Sequence, residues 1–95
     1  MEQINEQVAL VRRELALEPE MQFAEQQIAN LPEPRSSSFA LERHTNEFFR
    51  QLDIICIIVQ GAAQYMDKTQ DFRLEPIISL IGKNMRELRN NFVKQ

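Results

Sequence analysis

The chain has two glycines, one cysteine, one histidine and no tryptophan in 95 residues. So few glycines leave an all-β domain without the turn residues its many reversals need. The single cysteine, Cys56, lies inside the run Ile54-Ile55-Cys56-Ile57-Ile58-Val59. It has no partner for a disulfide, a zinc knuckle or a CxxC redox pair. A reducing, cytoplasmic setting is therefore expected. His44 has no second imidazole or thiolate near it, so neither a metal site nor a cofactor is expected. The chain also lacks a glycine-rich phosphate loop and the GxSxG and HExxH patterns, and it has no long loop to frame a deep cleft. With no catalytic residues and no small-molecule substrate to assign, the reading is that of a non-enzyme.

Long apolar runs are missing as well. The longest, Ile54 to Val59 with Gly61-Ala62-Ala63 after Gln60, is about half of the ~20 residues that cross a bilayer. It reads as a buried core segment, with no membrane role. The opening Met1-Glu2-Gln3-Ile4-Asn5-Glu6 carries acids where an export signal requires bases, so none is expected. An excess of positive charge is also absent: the net charge is -3 and the pI about 5.1. The molecule as a whole has no electrostatic attraction to nucleic acid or an anionic membrane.

What the sequence does hold is helical periodicity. The apolar share of 43% and the charged share of 26% are those of a folded chain, and the abundant Glu, Gln, Leu, Ala, Arg and Ile favour helix. Residues 1–33 form an acidic arm, with Glu2, Glu6, Glu14, Glu18, Glu20, Glu25 and Glu33 against Arg12 and Arg13. Within it Ile4, Val8, Val11 and Leu15 trace one helical stripe, and Met21, Ala24, Ile28 and Leu31 trace a second after Pro19. Residues 34–37 read as a Pro/Ser hinge, because Pro32, Pro34 and three serines favour extended backbone and bury nothing.

From Ser38 the spacing is strongest. Leu41, Thr45, Phe48, Leu52, Ile55, Val59, Ala62 and Met66 alternate steps of four and three without interruption, which predicts a helix over about 38–66, capped by one of Ser36 to Ser38. The last helix is expected over about 75–93, because Pro76 is tolerated only in a first turn. Its stripe is Ile78, Ile81, Met85, Leu88 and Phe92. A short connection makes the two antiparallel neighbours, with Gly61 near Leu80 and Gly82 near Val59. The expected fold is all-α: a long antiparallel helical hairpin over 38–95, preceded by one or two short helices and completing a helical bundle as a homodimer.

A two-helix hairpin leaves Ile54, Ile57 and Ile58 off the stripe that faces its second helix. Each is worth ~1.5–3 kcal/mol when buried, so either the N-terminal arm or a second molecule must lie on them. The contact residues to expect are Phe48, Phe49, Leu52, Ile54, Ile57 and Ile58. The partner would be a second copy, another protein, or both, and the function that of an adaptor, inhibitor or small chaperone. The alternative is a small nucleic-acid-binding regulator using Lys83, Arg86 and Arg89, a reading disfavoured because bases near a helix C-terminus complement the helix dipole. Glu42, Glu47 and Asp53 stand at helical spacing from Arg43 and Arg50, and surface ion pairs are expected among them.

Overall fold

The computed structural model describes residues 2–33 and 40–94, with side chains at 2–33 and 44–92. The hinge 34–37, the capping serines and the side chains of Leu41, Glu42 and Arg43 lie outside the described residues. Four α-helices account for the rest: α1 (Glu2–Glu14), α2 (Pro19–Ala29), α3 (Ala40–Thr69) and α4 (Glu75–Lys94). Among the described residues there is no strand. No helix is long and apolar enough to cross a membrane among them either.

Pro19 is the first residue of α2, where its missing N–H costs nothing. Glu18 precedes it with extended backbone, and its carbonyl accepts from the N–H groups of Met21 and Gln22. α3 runs three residues past the expected end at 66. Its last turn is held by Thr69 Oγ1 donating to the Tyr65 carbonyl at 2.8 Å. It stops at Gln70, whose φ of 59° is left-handed and ends a right-handed helix in the way a C-terminal glycine does. Asp71 then accepts from the Arg73 backbone and guanidinium, and this pair holds the Asp71 carboxyl below its ordinary range. Leu74 starts α4 by accepting from the Ile78 N–H, leaving Pro76 in the first turn.

α3 and α4 meet at two levels. Phe48 stacks on Phe92 with centroids 4.2 Å apart, and the Cys56 S–H donates to Met85 Sδ at 3.7 Å. In each pair the two residues are almost equally far from the connecting turn. The acidic arm folds back over the other side. α1 lies against both α3 and α4, while α2 rests on α3. Both arm stripes read from the sequence point inward: Ile4, Val8, Val11, Leu15, Met21 and Ala24 are buried with Ile55, Ile58, Ala62 and Ile81 in one core. The body measures 46 × 26 × 17 Å, no more than two helices thick at the usual 8–10 Å between axes.

Gly61 belongs to this covered side. A Cβ there would come within 3.2 Å of Ala24 Cβ and Met21 Sδ, and 3.3 Å of the Glu20 carbonyl. The close approach is between α3 and α2. Leu80, expected near Gly61, is exposed on α4 and is not among the atoms that crowd it. Polar contacts rim the seam: Arg12 donates twice to Glu25, at 2.7 and 2.6 Å, joining α1 to α2, and Lys68 meets Glu20 at 3.0 Å, joining α3 to α2.

Candidate functional site

The residues expected to contact a partner divide into two groups. Ile58 is fully buried, and Ile54 and Ile57 are half-buried against the core that the arm completes. The isoleucine face is thus covered by the chain's own N-terminal helices, which removes Ile58 as an exposed contact. Phe48, Phe49, Leu52 and their surroundings lie elsewhere. At 3.6 residues per turn, Phe49, Asp53 and Cys56 leave α3 roughly half a turn away from Ile58.

There, α3 and α4 border a groove of about 300 Å³ lined by Phe49, Leu52, Asp53, Cys56, Gly82, Met85, Arg86 and Arg89. Leu52, Cys56, Gly82 and Met85 supply the apolar part. Phe48, Phe49 and Phe92 close one end as a mutually packed cluster, Phe49 meeting the other two edge-on at 5.7 and 5.5 Å. Phe49 remains 38% exposed. Gly82 faces open space, for a Cβ built on it would meet nothing within 4 Å. A mid-helix glycine costs up to ~1 kcal/mol relative to alanine, and at Gly82 no neighbour within the chain requires it.

The groove's charges are arranged by wall. Asp53 stands on α3, Arg86 and Arg89 on α4, all three exposed. Among the described residues none of them makes an ion pair. Arg50, expected to pair with neighbours on its own helix, instead donates to the Pro32 carbonyl at 3.4 Å and approaches Glu33 at 4.0 Å, because the end of the arm comes down beside it. That contact shapes a second recess of about 230 Å³ next to the groove, bordered by Leu31, Pro32, Asn46 and the same Phe49 and Asp53.

Burial pushes the Cys56 thiol up, and Asp53 adds to this while Arg89 opposes it. The thiol therefore stays protonated at neutral pH and is a weak nucleophile. His44 is exposed. Among the described residues no three of His, Cys, Asp and Glu come together as metal ligands. Lys83 is exposed and does not line the groove, whereas Arg86 and Arg89 do.

Sequence reasoning named Phe49 and Leu52 but missed Asp53, Cys56, Gly82 and Met85 as a shared surface. The signal was present as a second stripe: Phe49, Asp53 and Cys56 step by four and three, as do Gly82, Arg86 and Arg89. Mixed polarity made both look like ordinary solvated faces. No family model, curated protein or solved structure matches the chain.

Proposed function

We propose that the chain is a non-catalytic protein-interaction module. In this reading α3 and α4 form a long antiparallel hairpin, the N-terminal arm braces one side of it, and the opposite groove receives a helix of a partner. Such a device acts as an adaptor, an inhibitor or a small chaperone does, by occupying or presenting a helical surface. The observation that carries the reading is the open apolar floor between Arg86 and Arg89 on one wall and Asp53 on the other, with none of these charges paired among the described residues. Apolar anchors surrounded by a polar rim are the usual anatomy of a contact surface.

The nucleic-acid alternative has less support. Asp53 shares the groove with two of the three bases, and Lys83 stands outside it. A phosphate bound in the groove would share it with the Asp53 carboxylate.

The test is site-specific photocrosslinking in cells, with the reactive residue at position 49 and, as a control, at Glu6 on the exposed side of α1. Discrete adducts from position 49 that are absent from position 6 and disappear with Met85→Glu support the groove as the contact surface. Equal labelling from both positions, or none from 49, overturns it.

A further inference from the structure

We infer that the groove is closed by a second copy of this chain, related by a two-fold axis that lies between the two faces and runs parallel to the long helices, with Asp53 of each copy set between Arg86 and Arg89 of the other. This rests on the groove being a contact surface and goes further by naming what covers it and in which register.

A two-fold rotation brings the same face of two molecules together only when its axis lies in the plane between them. An axis running across the helices lays each helix on its own counterpart, with heights reversed, and so gathers both copies of Arg86 and Arg89 on one side of the contact. An axis running along the helices lays α3 of each copy over α4 of its partner and leaves every residue at its own height. Asp53 stands on the α3 wall, Arg86 and Arg89 on the α4 wall, all three exposed and without an ion pair among the described residues. The charges therefore select the axis along the helices, which sets each wall against the wall of opposite sign.

Heights give the register. The Phe48–Phe92 stack and the Cys56–Met85 contact fix which residues of α3 and α4 stand level. Counting on from them, Asp53 is level with the midpoint of Arg86 and Arg89, two residues roughly 4.5 Å apart along α4 at 1.5 Å per residue. Because this axis keeps heights, the carboxylate of each copy comes down between the two guanidiniums of the other. The groove that separates the same groups within one chain is closed from above by the second.

The rest of the face fits the same placement. Phe49, Asp53, Cys56 and Gln60 step by four, three and four along α3. Phe49, 38% exposed, comes to the level of the partner's Phe92, so the two aromatic clusters adjoin. Gln60, also exposed, comes within one residue of the level of the partner's Gly82, where a Cβ would meet nothing and a long side chain has room. Leu52, Cys56 and Met85 of both copies then face one another inside a four-helix bundle in which each α3 runs antiparallel to the α4 on either side of it. Near the connecting turn the same stripes reach Asp67 and Glu75, and the ~20° crossing usual in bundles carries these acids apart.

Light scattering and sedimentation of the full chain from micromolar to millimolar concentration test this on the parent, Asp53→Arg, the double variant Arg86→Asp with Arg89→Asp, and an equimolar mixture of the two. All three positions are exposed, and circular dichroism of each variant establishes that it folds. The expected result is a parent dimer and a dissociation constant raised at least ~10-fold in each variant, as like charges face across the contact. Mixing should restore the dimer, since in the mixed pair one contact carries reversed charges on both sides and the other carries the native ones. A disturbance confined to one chain is not repaired by mixing, so the recovery reads the contact between copies. A dimer indifferent to both variants, or no recovery on mixing, overturns the register. A parent that stays monomeric throughout overturns the second copy. Adducts from position 49 then separate the two readings: a discrete product of a mass other than twice 11.2 kDa keeps the groove as a contact surface for another protein, and no product removes both.

Discussion

The two glycines of α3 and α4 sit on opposite sides of the molecule and have opposite reasons to be there. Gly61 is pressed against three residues of α2, in a seam where Ile55, Ile58 and Ala62 are buried. Gly82 borders a groove and touches nothing. One side of the long helices is finished by the chain itself, and the other is left with an apolar floor and unmatched charges. A missing side chain thus has two meanings, a close approach already made and room not yet taken, and only the contacts tell them apart.

The contrast is lost most completely at Ile58. Ile58→Asp places a carboxylate where exposure is 0% and no basic partner is at hand, and should cost at least about 4 kcal/mol, read as loss of cooperative thermal unfolding by circular dichroism. Next comes Gly61→Leu, which forces a branched side chain between Ala24, Met21 and the Glu20 carbonyl. About 3 kcal/mol, the upper end of overpacking, is expected, with faster amide exchange across α2 showing that the seam has opened. Gly82→Ala should move the other way, raising the stability of the folded monomer by about 1 kcal/mol in denaturant titration, since it gains helix propensity and meets no neighbour. If Gly82→Ala destabilises, the groove is closed in solution and the two glycines no longer differ.

Acid provides the smallest effect. Lys68 and the Glu20 backbone amide hold the Glu20 carboxyl below its ordinary value of 4.5 despite some opposing desolvation. A carboxyl whose folded pKa is depressed contributes stability above its unfolded pKa and loses it as pH falls through the lower folded value. The α2 seam should therefore loosen below about pH 4.5, and Glu20→Gln should flatten that part of the stability profile.

Much of this was legible in the sequence because amphipathic helices announce their faces. Ile4, Val8, Val11 and Leu15 were spaced to be buried and are, and Pro76 located the start of α4 through the one position a helix tolerates it. Periodicity, however, gives a face and not its neighbour. The closeness of α2 to Gly61 is not legible, because nothing in a 3.6-residue repeat says which of three other helices lies on a given face. The end of α3 was missed by three residues because Gln70 takes a conformation usually left to glycine. The groove was half visible, through Phe49 and Leu52, since a stripe that mixes Asp53, Cys56, Arg86 and Met85 has no hydrophobic signature to detect.

α1 is made before α4 and yet lies against it, so its burial joins residues separated by most of the chain. Such a contact closes a long loop and is slow to form, whatever the local helices do meanwhile. α2 docks on α3 without help from α4, whereas α1 should reach its native place only after the last helix has emerged, and until then its part of the α3 surface stands uncovered. The interval between synthesis of α3 and arrival of α4 is when this chain is most exposed to aggregation.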